Sequence, residues 1–267
     1  LFYFDFRNKK AWEHDKQIAE LDKVISFEDE NIKICLSNSE MQGLCLDLGC
    51  GPGTTTEIIA NNMETKKVFG VDYDQYFIDY AKQCRCSEKI EYVMADCYDL
   101  PFADDYFDCS YSRYLFQHLK RPDLALKEMI RVTKKGGVVG IHDVDYDLVI
   151  HAPKIAYSDK IKRINTRLKA YHGSNLHIGK EMEEIFCKTE MLKRIRVLKT
   201  FTNNMEYPEF INLFYNASNN DLEFLLKNKL FSEEELKSYI AGVQNFLQSP
   251  GSFFQVGNYF TYGEVTK

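Results

Sequence analysis

The apolar positions of this chain fall into two textures. Between residues 43 and 145 short apolar runs alternate with stretches of helical period. Leu44, Leu46 and Leu48, with Cys45 among them, make a run of the kind buried on both faces of a parallel sheet. Ile58, Ile59 and Met63 follow at helical spacing. Further strands are predicted over residues 67–72, 90–95, 107–111 and 138–144. Helices are predicted over 75–84, with Tyr76, Phe77 and Tyr80 inward, and over 122–132, with Leu124, Leu126, Met129 and Ile130 as its stripe. Residues 134–137, Lys-Lys-Gly-Gly, read as the end of that second helix. Strand and helix alternating in this way demand a parallel sheet wound with right-handed crossovers, with the ligand at the carboxyl ends of the strands.

On either side the pattern loosens. Residues 12–27 carry Ile18, Leu21, Val24 and Ile25 among charges, an amphipathic helix, and a polar stretch follows at 38–42. After residue 145 come a Lys-, Arg- and Ile-rich helical segment at 150–171, a helix at 181–188 and an alternating strand at 194–201. Helices at 210–216, 222–228 and 233–247 come next, with Ser232 as a cap, and then a strand at 253–265 with Phe254, Val256, Phe260 and Tyr262 on one face. Phe210, Phe214, Tyr215, Phe224 and Phe246 could line a pocket, but aromatic residues at helical spacing more often form core.

The candidate chemistry starts where the first strand stops. Gly49-Cys50-Gly51-Pro52-Gly53 places glycine at alternate positions, so the backbone can turn tightly and a ligand can lie against it. Thr54 to Thr56 can cap the helix that follows. A Walker loop needs a lysine, and none occurs between Gly49 and Asn62; the dinucleotide fingerprint spaces its glycines differently. Asp72 closes the second strand about twenty residues on, where a carboxylate can accept both hydroxyls of a ribose. Asp74 reads as the cap of the next helix, and Tyr73 could lay its ring on a base. Asp96 closes the third strand.

With Asp47 two residues before the first glycine, the motif D-x-G-x-G-x-G resembles motif I of the class I S-adenosylmethionine-dependent methyltransferases. Residues 44–145 are similar to the UbiE/type-11 group of that superfamily. The resemblance implies a Rossmann-like α/β fold: a seven-stranded, mostly parallel sheet, an antiparallel seventh strand between the fifth and sixth, and helices on both faces. It also implies S-adenosylmethionine as cofactor, with S-adenosylhomocysteine as product. On it, Asp47 organises Gly49, Cys50, Gly51 and Gly53 and meets the donor's amino group. Asp72 takes the ribose, Tyr73 the adenine face, and Asp96 and Cys97 the adenine edge. Ser112 and Arg113 take the turn after the fourth strand, with Arg113 near the donor's carboxylate or paired with an acid.

The sulfonium donor is already activated, so alignment is the main requirement and a general base matters only if the acceptor must lose a proton. His118, His142, Asp143 and Asp145 stand near strand ends. His142 and Asp143 point to opposite faces of the fifth strand, and His142 with Asp145 rank first as catalytic candidates. No metal-ligand spacing occurs.

Composition narrows the rest. At 267 residues and 45% apolar content, one domain spanning 1–267 is expected, with a donor-binding core at 44–145 and helical cap elements at 1–43, 148–175 and 202–250. A net charge of -6 argues against a nucleic-acid surface. The eight cysteines show no C-x-x-C pair and read as free, in a reducing cytoplasm. No run reaches the length of a membrane span, and the aromatic start at residues 1–6 is too short for a signal-peptide core. A small-molecule acceptor is the leading expectation. No N-P-P-Y tetrapeptide follows the fourth strand, where Ser112-Arg113-Tyr114-Leu115 stands; a protein or RNA acceptor, or donor binding without catalysis, are the alternatives.

Overall fold

The computed structural model describes residues 11–62, 64–171, 173–210 and 219–267. Two helices, α1 (Ala11–Ser26) and α2 (Asp29–Ser39), precede a βα series. That series runs β1 (Gly43–Leu48), α3 (Thr54–Ala60), β2 (Thr65–Asp72), α4 (Gln75–Cys84), β3 (Ile90–Met94), β4 (Phe107–Arg113), α5 (Pro122–Val132) and β5 (Thr133–Val144). β1 lies between β2 and β4, β3 flanks β2 and β5 flanks β4, all parallel. The order therefore reverses beside β1, which opens a crevice where β1 and β4 end.

Period-two alternation explains how the sheet is covered. Leu46 and Leu48 face a core with Leu126 and Met129 of α5, while Cys45 faces the opposite core with Ile32, Cys35 and Ile59 under α2 and α3. Helices on both faces are what two buried faces require.

After β5 come a 3₁₀ turn (Tyr146–Leu148), β6 (Ile150–Ala152), α6 (Ser158–Tyr171), α7 (Ile178–Lys188) and β7 (Leu192–Asn203). The helices Asn219–Lys227 and Glu233–Gln248 lead to β8 (Phe253–Val265). β8 runs antiparallel between β5 and β7, as the resemblance implies. Gly179 sits where α7 meets β5; a Cβ there would come within 2.6 Å of the Asp143 carbonyl oxygen, so only glycine allows this approach. Ser232 caps its helix in a full capping box with Glu235.

Several expectations are corrected. The sheet has eight strands rather than seven, because residues 150–171 are not one helix: Ile150–Ala152 pairs with β8 and Pro153, lacking an N–H, closes the ladder. Residues 134–137 belong to β5, since Thr133 already pairs with Phe107 of β4. The cap of α3 is Gly53 in a left-handed conformation, not a threonine hydroxyl. The polar stretch at 38–42 hides most of α2, whose buried Ile32, Cys35, Leu36 and Ser39 keep helical spacing.

A third core, containing Phe210, Tyr239, Phe246 and Phe254, holds the C-terminal helices against the start of β8. Phe210 and Phe246 are thus core, Phe224 is partly exposed, and Phe214 and Tyr215 lie outside the described residues.

Candidate active site

The glycine loop is shaped by backbone conformation. Gly49, Gly51 and Gly53 all have φ between 53° and 88°, the region in which side chains are strained. The amides of Gly49 and Cys50 donate to the Val71 carbonyl at 2.7 and 3.0 Å, and Gly51 N–H donates to Asp72 Oδ2 at 2.9 Å. The other Asp72 oxygen accepts from Asp74 N–H at 2.9 Å, and Asp74 caps α4 through Tyr76 N–H. Burial raises the Asp72 pKa, and the two amides pull against that rise. Beneath the loop, buried Asp47 accepts from the Thr56 hydroxyl at 2.6 Å; burial pushes its pKa up to about 7.

A cavity of about 670 Å³ opens on this loop, within the range typical of small-ligand sites. α1 roofs it with Gln17, Leu21, Val24 and Ile25. The roof is tied down: Arg85 reaches Asp22 of α1 at 2.8 Å, Glu57 of α3 at 2.9 Å and the Pro52 carbonyl at 3.0 Å, and Thr54 bonds Asp22 as well.

At the far end the wall is made by Tyr114, Gln117 and His118 after β4, Val144 and Tyr146 after β5, and Lys169 of α6, with Leu176 and Val256 as apolar surface. Burial brings the His118 pKa down to about 4, helped by the Lys169 charge, so its imidazole is neutral near pH 7. Arg113 is buried against Glu28, which also accepts from the Tyr114 hydroxyl at 2.9 Å and from the Asn258 amide at 3.3 Å. The guanidinium lies over the Tyr114 ring at 4.0 Å.

Of the expected donor-site residues, Gly49, Cys50, Gly51, Asp72, Tyr73 and Arg113 are brought together on the cavity wall. Tyr73 is 77% exposed at its edge. Asp47 and Gly53 lie beneath or behind the loop, and Ser112 is buried with its hydroxyl donating to the Leu48 carbonyl, tying β4 to β1. Asp96 and Cys97 stand at the next strand end but off the wall; the Asp96 carboxylate accepts from Tyr98 N–H at 2.9 Å, the role of a turn aspartate. For Arg113 the acid pairing is the geometry found.

The two leading catalytic candidates are corrected. His142 is fully buried inside the sheet, bonded to the Tyr111 hydroxyl at 3.0 Å and to Thr200 at 2.9 Å, and burial holds its pKa well below 6.5. Its alternation on β5 turns it away from the crevice. Asp145 turns outward instead, to His177 at 2.8 Å and the Asp147 amide at 3.0 Å. Asp145, Asp147 and His177 could group three ligand atoms, but the Lys180 ammonium already sits 2.5 Å from Asp147.

The polar residues that do reach the cavity, Tyr114, Gln117, Tyr146 and Lys169, carried no motif. His118 alone had been visible, as a histidine after a strand end.

A chain with this strand order, a glycine loop after β1 and an acid closing β2 has the architecture of a nucleoside-binding α/β enzyme. The family model described as Methyltransferase domain matches residues 46–141, and the chain therefore carries a class I S-adenosylmethionine-dependent methyltransferase domain of the type-11 group. S-adenosylmethionine is the cofactor of this class. An uncharacterized methyltransferase of Schizosaccharomyces pombe is 31% identical over 146 residues, covering 51% of this chain and 52% of that protein. A demethylmenaquinone methyltransferase of Staphylococcus aureus is 33% identical over 132 residues, 46% of this chain and 54% of its own length. The chain spans about half the length of these relatives. Among solved structures, the YcgJ protein of Bacillus subtilis shares the fold, with a TM-score of 0.60 and 18% identity over 89% of this chain and 99% of that one.

The residues present fit the cofactor. Gly51 has nothing within 4 Å of where a Cβ would stand, which leaves its backbone open to a ligand, and Asp72 is held beside it. No helix among the described residues is long and apolar enough to cross a membrane.

Proposed function

We propose that this chain, folded as one domain with helical cap elements, transfers a methyl group from S-adenosylmethionine to a small-molecule acceptor bound in the same cavity. The observation that carries this reading is the continuity of that cavity, from the glycine loop and Asp72 at one end to His118, Tyr146 and Lys169 at the other, under the α1 roof. The donor supplies a methyl group on a positively charged sulfur. Asp72 takes the ribose, and the loop backbone around Gly49 to Gly51 lies along the donor's polar end. Holding the acceptor in line opposite the sulfur is the main work of the protein, and such orientation supplies roughly 7–11 kcal/mol in well-aligned systems. α1 excludes water from the reacting atoms.

Where the acceptor gives up a proton, His118 is the group placed to take it, since it is neutral and on the wall. A small acceptor is supported by a cavity of about 670 Å³ that donor and acceptor must share, and by the quinone named for the Staphylococcus aureus relative. Free thiols at all eight cysteines support placement in the cytoplasm.

Calorimetry with S-adenosylmethionine and S-adenosylhomocysteine tests the donor site, and heat is expected from both. Mass-spectrometric detection of methylated products from a metabolite library tests catalysis. Binding without any product would reduce the chain to a donor-binding protein; methylation found only on added protein or RNA would move the acceptor class.

A further inference from the structure

The far end of the cavity is organised by one short strap, residues 173–176. Its Ser174 N–H donates to the Lys169 carbonyl at 2.8 Å, and its Asn175 N–H to the Gln117 carbonyl at 2.7 Å. The Leu176 carbonyl accepts from Tyr146 N–H at 3.0 Å. Three polar wall residues from three separate segments are thus pinned to one piece of backbone, and Leu176 itself adds apolar wall between them. Lys169 and Arg113 are the cationic wall residues. Arg113 is committed to Glu28. Among the acids on the wall, Asp72 and Asp74 are engaged by backbone amides at the opposite end.

We infer that this strap and Lys169 form a head-group subsite, and that the methyl acceptor carries a carboxylate that Lys169 binds, on an apolar body packed against Leu176, Val144 and Val256. The inference rests on the methyl-transfer reading and names the substrate class for the same site. A single ammonium flanked by neutral donors, the Tyr146 hydroxyl and the Gln117 amide, matches one negative charge; a phosphate dianion asks for a second cation, and Arg113 is occupied. A cation at the rim of an apolar pocket favours a charged partner over a neutral one because little water remains to solvate either alone. The Lys169 charge also reaches His118, so a bound carboxylate would relieve that field and let the imidazole hold a proton more readily.

The test uses the full chain saturated with S-adenosylhomocysteine. Three acids with apolar bodies, indole-3-acetate, cinnamate and octanoate, are titrated by calorimetry against their primary amides. The acids are expected to bind roughly ten- to hundredfold tighter than the amides, the scale of one charge-assisted hydrogen bond. Lys169→Gln should erase that preference and Lys169→Arg should keep most of it, both with unchanged S-adenosylhomocysteine affinity. Equal binding of acids and amides, or an acid preference that survives Lys169→Gln, overturns the subsite. Weakened S-adenosylhomocysteine binding in Lys169→Gln also overturns it, since Lys169 would then serve the donor. If the unaltered chain binds no S-adenosylhomocysteine, the methyl-transfer reading itself falls, and the subsite with it.

Discussion

The two ends of the cavity are built by different means. The donor end is backbone: three left-handed glycines, two strand-end acids and the amides that hold them, all within residues 47–76. The acceptor end is side chains from β4, β5, α6 and β8, which meet only because the sheet and the strap bring them together. Backbone geometry restricts which residues can stand at which spacing, so it leaves a local trace in sequence. Side-chain convergence leaves none. The difference predicts where substitutions will act.

The largest effect belongs to the loop. Gly51→Val puts a β-branched side chain at φ +53° and projects it into the open space beside Asp72. Donor binding should fall below detection by calorimetry while circular dichroism stays that of a folded chain. Normal binding would show that the donor does not lie on this loop.

Next comes Asp72→Ala. Losing a charged hydrogen-bond acceptor should weaken donor binding by roughly 1.5–3 kcal/mol. Unchanged affinity would remove the ribose assignment. Tyr146→Phe, at the other end, should leave donor affinity untouched and alter only acceptor kinetics; a joint loss would mean that the ends are not separable.

The two histidines sharpen the contrast. His142→Gln breaks a buried bond to Tyr111 or Thr200 and should cost about 1–3 kcal/mol of stability in denaturant titration, with donor affinity unchanged. His118→Gln should change turnover with little loss of stability. The reverse pattern would return the catalytic role to His142.

Legibility follows the same division. The strands and helices between residues 43 and 132 match their apolar periods, and α4 and α5 begin and end where their caps and stripes predict. Asp72 and the glycine loop were readable from spacing alone. The failures have physical reasons. His142 was readable as a strand-end histidine, but which face it occupies depends on whether β5 continues, and β5 does continue to Val144. Asp145 lies just past that end, and its direction is set by His177 of a distant turn. α2 was masked by polar residues on its outer face, although its buried positions keep a helical period. β6 has three residues, too few for any period. Lys169 sits in a helix whose charges resemble an ordinary solvated face; only the strap reveals that this one turns inward.

The smallest effect separates two acids with the same pKa at opposite ends. Burial raises Asp47, under the loop, and Asp143, beside the acceptor end, each to about 7 from 3.8; Asp143 also accepts from Val144 N–H at 2.8 Å and Gln117 N–H at 3.1 Å. A raised carboxyl pKa means that the folded chain keeps a proton that the unfolded chain has lost. The stabilisation is complete below about pH 4 and is lost as pH rises through about 7. Between these limits each group contributes a downward slope of at most about 1.4 kcal/mol per pH unit. Asp143→Asn removes one of the two slopes. Its amide group can still accept one of the two N–H groups but leaves the other facing its NH₂, so absolute stability also drops by about 1 kcal/mol. Urea titrations at pH 5, 6 and 7 should therefore show the variant less stable but flatter with pH, with donor affinity unchanged because Asp143 touches Gln117 and not the loop. Equal slopes for the variant and the unaltered chain would mean that Asp143 is ionised when folded, paired with the nearby Arg113 charge, and that Arg113 serves the acceptor end as well as Glu28.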